Sequence, residues 1–145
     1  MKNLGLLLLA LTFSLFSSAQ EYKVLTTVES VVPMGLGRSR IIEAKQDVSV
    51  ADKAQHNTAA GKDKHKPSRK DMKIEEYDET MLLNFYSGVG INFQNIASND
   101  ALISQKINDL VKDGWELAFV SSAVESDAGK GDGNGIFITR YIFKK

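Results

Sequence analysis

The sequence predicts an α+β fold, a small antiparallel β-sheet with one main helix packed on one face and a long, partly disordered insertion. Three observations predict it. Residues 98–113 carry apolar side chains at helical spacing and stop at Gly114, with a strand-like run through Trp115, Glu116 and Leu117 directly behind. Residues 21–32 and 136–144 alternate with the two-residue period of strands. Between about residues 51 and 72, large apolar groups nearly vanish while charge accumulates.

In chain order, residues 1–19 come first. Lys2, an apolar run from Leu4 to Phe16 and the small residues Ser17, Ser18 and Ala19 form the pattern of a secretory signal peptide with cleavage before Gln20. The run is too short for a permanent membrane anchor. The protein is therefore expected to be exported, to periplasm or medium. No cysteine occurs, which removes a lipid-modified Cys, a disulfide framework and thiol chemistry together. Residues 20–145 then make one domain large enough for its own core. The 18 basic and 18 acidic residues balance, and losing Lys2 with the leader tips the net charge to about −1. That balance gives no reason to expect nucleic acid as a partner, which demands a basic footprint.

The first strand covers residues 21–32, with Tyr22, Val24, Thr26 and Val28 on one side and Lys23, Leu25, Thr27 and Glu29 on the other. Pro33 closes it. Gly35, Gly37, Arg38, Ser39 and Arg40 follow, and two readings stand. Glycine N–H groups and two guanidinium groups suit an anion nest; the same residues also suit a hairpin turn with its arginines in water, and the Gly-Lys-Ser/Thr ending of a phosphate loop is absent. Ile42, Ala44, Val48 and Val50 extend a second strand arm over residues 41–50, weakened by Lys45, Gln46 and Asp47.

The insertion at about 51–72 cannot bury enough surface to offset its ordering entropy and reads as a mobile loop or ribbon tip. Lys62, Lys64, Lys66, Arg69 and Lys70 make it basic, which suits either a solvated loop or contact with an anionic surface. Both histidines, His56 and His65, sit in it, without the third ligand or the walled pocket that metal binding or base catalysis needs. Residues 80–86 read as another strand, with Met81, Leu83 and Phe85 opposite Leu82, Asn84 and Tyr86. Residues 87–96 read as an irregular connection whose Asn and Gln amides either serve the chain or face a ligand.

The helix places Ile103, Ile107, Leu110 and Val111 on one face and Gln105, Lys106, Asn108, Asp109 and Lys112 on the other. Ser98, Asn99 and Asp100 supply its N-terminal cap. Gly114 ends it in the left-handed conformation. In the strand behind, Trp115, Leu117, Phe119, Ser121 and Ala123 share one face, with Trp115 at the core corner. The Asp- and Gly-rich stretch at 125–135 invites a calcium reading, but its oxygen spacing misses the EF-hand pattern, and a hairpin loop turning at Asn134 and Gly135 fits better. The final strand is apolar on both faces, Ile136, Ile138 and Ile142 against Phe137, Tyr141 and Phe143. One helix covers one face of a sheet, so the insertion, a second copy or a partner must cover the other. Phe137, Tyr141 and Phe143 are the candidate interface.

Glu21-Tyr22-Lys23-Val24, Ile107-Asn108-Asp109-Leu110 followed by Asp113-Gly114-Trp115-Glu116-Leu117, and a closing strand that ends in aromatic and basic residues resemble the small bacterial family called domain of unknown function 4177. The likeness covers the two ends of the chain, about half of it, and departs at the insertion and the enlarged last hairpin loop. It implies a compact unit with a helix on a small antiparallel sheet, and no activity or functional residue.

As an enzyme the chain is poorly equipped: no thiol, no histidine in an ordered segment, no paired carboxylates on a core strand and no metal-ligand spacing. No catalytic residue, metal or cofactor is expected. The chain reads first as an exported, non-enzymatic interaction module for an unknown protein partner. A self-associating, possible homodimeric structural protein of the cell envelope comes second, and an anion-binding protein or hydrolytic enzyme comes behind both.

Overall fold

A computed structural model of the chain describes residues 19–31, 39–54, 57–58, 61–62, 67–125 and 135–145. The expected signal peptide, Gly35, Gly37 and Arg38, both histidines, Lys64 and Lys66, and the Asp/Gly-rich loop at 126–134 lie outside the described residues.

The fold is α+β, as the sequence predicts. β1 (Tyr22–Ser30) is rich in β-branched residues and sits at the centre of a five-stranded antiparallel sheet. β2 (Arg40–Ala44) and β9 (Ile136–Lys144) flank it, and β5 (Tyr77–Met81) and β8 (Glu116–Val124) form the edges. The order is β5-β2-β1-β9-β8, so both chain ends of the domain lie in its middle. The second strand arm is shorter than its even spacing suggests: it stops at Ala44, where the charged residues begin, and Val50 starts a one-turn helix, α1 (Val50–Lys53), capped by the Ser49 hydroxyl. Within the insertion, β3 (Asn57–Thr58) and β4 (Gly61–Lys62) pair as a small ribbon. A turn at Ser68 and Asp71 follows, each side chain accepting from the other's backbone N–H.

The strand expected at 80–86 is displaced. β5 begins at Tyr77 and ends at Met81, and residues 82–85 leave the sheet edge to cross its end, with Leu82 N donating to Ser39 O and Phe85 N to Ser30 O. A small hairpin, β6 (Tyr86–Ser87) with β7 (Gly90–Ile91), leads into the helix. That helix, α2 (Phe93–Lys112), starts five residues ahead of the expected Ser98. Its cap is Asn92, whose Oδ1 accepts from the Gln94 and Asn95 N–H groups at 3.0 and 3.2 Å. The first two turns bury amides beside one apolar group, with Asn99 fully buried and Asn95 and Ile96 partly so. Asn99 bonds both backbone groups of Leu83, accepting from its N–H at 2.8 Å and donating to its carbonyl at 2.7 Å. Asn95 donates to the Asn84 carbonyl at 2.8 Å. These amides complete the hydrogen bonding of a segment that has left the sheet. They serve the chain itself.

At the other end, Gly114 adopts φ 87° and the chain closes in a Schellman turn, Trp115 N donating to Leu110 O and Gly114 N to Val111 O, both at 3.0 Å. The Lys145 ammonium caps the free Asp113 carbonyl at 2.9 Å. The core lies between α2 and one face of the sheet: Ile103 and Leu110 meet Leu25, Ile41, Leu82 and Phe143, with Ile107, Trp115 and Tyr141 packed around them. Val111, expected on the buried face, is half exposed. Lys106, expected in water, turns inward to an acid described below.

Candidate interaction surface

The register fixes which side chains share the face that α2 leaves open. Leu25 pairs with Glu43 and Tyr141, and Thr27 with Ile41 and Thr139, so these residues point toward the helix. Their neighbours point away. Across the five strands from β8 to β5, one open row reads Phe119, Ile142, Val24, Ala44 and Tyr77. The next reads Ser121, Arg140, Thr26, Ile42 and Glu79, and the one after it Ala123, Ile138, Val28, Arg40 and Met81. Two of three rows are therefore dominated by apolar groups, with a polar row between them. Phe119 is 60% exposed, Met81 68% and Tyr77 50%, so the described part of the insertion does not cover them. A solvated face of an antiparallel sheet ordinarily alternates to polar residues, so two apolar rows on this face depart from that pattern.

The structure puts the candidate interface residues Phe137, Tyr141 and Phe143 on the helix side of the sheet, away from the open face. Phe143 is completely buried and Tyr141 packs against the same core, both under α2. Phe137 lies on that side as well, where its ring meets Phe85 at 6.1 Å in a tilted contact. The open side of β9 carries Ile136, Ile138 and Ile142 instead. Period alone cannot tell which of two apolar faces the helix takes. A second difference has a local cause. The register of β8 against β9 shifts between Leu117 and Phe119, a β-bulge that sets the two residues on opposite faces. Leu117 thus faces the helix side and Phe119 the open side, although they are two residues apart.

Of the candidate anion residues, two are described. Ser39 is fully buried, its hydroxyl accepting from Ser30 N at 2.9 Å and donating to Asn84 Oδ1 at 3.0 Å. Arg40 opens β2 and pairs with the Glu79 carboxylate. In the insertion, Arg69 and Lys70 are exposed in the turn after Ser68.

Sequence reasoning missed a charged cluster on the helix side. Glu43, only 2% exposed, takes Lys106 at 2.6 Å, Lys45 at 3.2 Å and Lys23 at 3.4 Å. Burial by itself would raise its pKa, but Lys106 and Lys45 outweigh that and hold the carboxyl below its ordinary value. Lys45 also reaches Asp78 at 3.2 Å. The Lys23 ammonium lies 5.0 Å from the Trp115 ring centroid and that of Lys145 lies 5.8 Å from it, so two cations approach the indole. A groove of about 640 Å³ opens beside this corner, lined by Trp115, Lys23, Gln46 and Asp47 and, from the open face, Tyr22, Val24 and Ala44. At the other end of the core, Glu29 accepts from Asn99 at 3.3 Å, and burial raises its carboxyl above the ordinary value. No group of three His, Cys, Asp or Glu residues that would hold a metal occurs among the described residues. No helix among them is long and apolar enough to cross a membrane.

In comparisons with known proteins, no family model, no curated protein and no solved structure matches this chain.

Proposed function

We propose that the protein is an exported, non-enzymatic interaction module that acts through the open face of its sheet. The observation that carries this is the row Phe119, Ile142, Val24, Ala44 and Tyr77, apolar across all five strands and uncovered by the described chain. Burying such a row is favourable by about 25 cal/mol per Å² of apolar surface, and a partner offers the surface that the fold itself does not. The buried carboxylates support the same reading. Glu43 is engaged by three lysines and Glu29 by Asn99, so each has a role within the fold.

Site-specific photo-cross-linking in the exporting cell tests this. A benzophenone side chain at Phe119 is expected to trap a discrete adduct, while the same group at Asn108, on the outer side of α2, traps none. Equal labelling at both positions, or none at either, would overturn the reading.

A further inference from the structure

We infer that the occupant of the open face is a second copy of this chain, packed face to face about a twofold axis that runs along β1. The inference rests on the open face being an interaction surface and names its partner. Two features of that face support it. The first is its charge pattern. Arg140 and Glu79 lie in the same row on opposite sides of β1, with Thr26 between them. A twofold axis along β1 lays β9 over the second copy's β2, and β8 over its β5. Arg140, which makes no ion pair among the described residues, then lies over the second copy's Ile42 and one strand spacing from its Glu79, whose carboxylate it would share with Arg40 of that copy, and the contact occurs twice. The charges of the face, Arg40, Arg140 and Lys144 against Glu79 and Glu116, are close to balanced, so two copies approach without strong repulsion.

The second feature is size. The same operation sets Ile142 over the second copy's Ala44 and Met81 over its Ala123, large on small. It brings Phe119 to Tyr77 at both margins, where aromatic contacts add to burial, and sets Val24 against Val24 on the axis. Interdigitation of this kind is how paired sheets fill the space of about 10 Å between them. The edge of β8 is a less suitable contact, because its bulge interrupts the ladder that a further strand would need.

The chain has no cysteine, so single cysteines report cleanly. Ala123→Cys and Met81→Cys, both at exposed positions, are made in separate copies and treated with a short bis-maleimide. Mixed together they are expected to form a covalent dimer. Each alone is expected to form little, since like residues lie on opposite margins of the pair, about four strand spacings apart. Arg140→Glu should weaken the dimer at least tenfold while leaving the thermal unfolding of the dilute protein unchanged. Absence of a dimer in the mixture, or preferential linking of like residues, would overturn the inference. An adduct at Phe119 in the cell whose mass differs from twice the chain would overturn it while leaving the interaction surface intact; absence of any adduct there would remove both.

Discussion

Glu43 shows at the scale of one residue how the fold tolerates a buried charge. Its carboxylate leaves water almost completely, a cost of several kcal/mol unless it is compensated. Lys23 of the neighbouring strand, Lys45 two residues on and Lys106 of the helix compensate it. Those lysines keep a third or so of their side chains in solvent, so the cluster joins β1, β2 and α2 without stranding any ammonium. The folded carboxyl titrates below its ordinary value of 4.5. The stability it adds is therefore fully present above that pH and is lost as pH falls through the folded value. Glu29 acts in the opposite sense: its raised pKa means that ionisation weakens the fold as pH rises from about 4.5 through the folded value. Glu43→Gln is expected to cost about 2 kcal/mol at neutral pH and to flatten the acid limb of stability, as read by urea unfolding between pH 7 and pH 3. An unchanged acid limb would show that the lysines do not hold the carboxylate. The sequence marked Lys106 as a solvent residue because a lysine at an outward helical position has no other signal, and the acid that draws it inward lies 63 positions earlier in the chain.

At the scale of the element, α2 and β8 show where periodicity reads true and where it does not. Ile103, Ile107 and Leu110 mark the C-terminal half of α2, and Gly114 marks its end, because both signals are local. The N-terminal half was hidden. Its inward positions include Asn95 and Asn99, which satisfy residues 83 and 84 after they leave the sheet, and buried amides look like a wet face to any count of apolar residues. Asn99→Ala should cost about 2–3 kcal/mol, since it orphans both backbone groups of Leu83; chemical denaturation measures this, and a loss below about 0.5 kcal/mol would mean that the segment finds other partners. β8 hides its bulge for a related reason. Its residues alternate acceptably in either register, and only pairing with β9 decides that Phe119 faces away from the helix. The strand limits of β1 and β9 were legible to within two residues, because dense β-branched and aromatic runs bounded by turn residues permit little else.

For the whole molecule, the sequence already requires that something cover a second apolar face, and the structure identifies the face. That step was beyond the sequence, since β9 is apolar on both sides and the choice belongs to α2, which packs over Phe143 and Tyr141. What results is half of a sandwich: one layer of helix, one layer of sheet, and an open side with Val24 on its central strand. Completing the sandwich with a second copy gives each sheet the two covered faces that its composition calls for. The most direct measurement is the solution mass of the purified protein by light scattering across a concentration series, beside Val24→Lys. The account predicts a dimer that dissociates on dilution and a variant that is monomeric with its thermal unfolding largely retained, because Val24 points to the open face and is 45% exposed. A protein that is monomeric at every concentration, or a variant that dimerises as well as the parent, would contradict it.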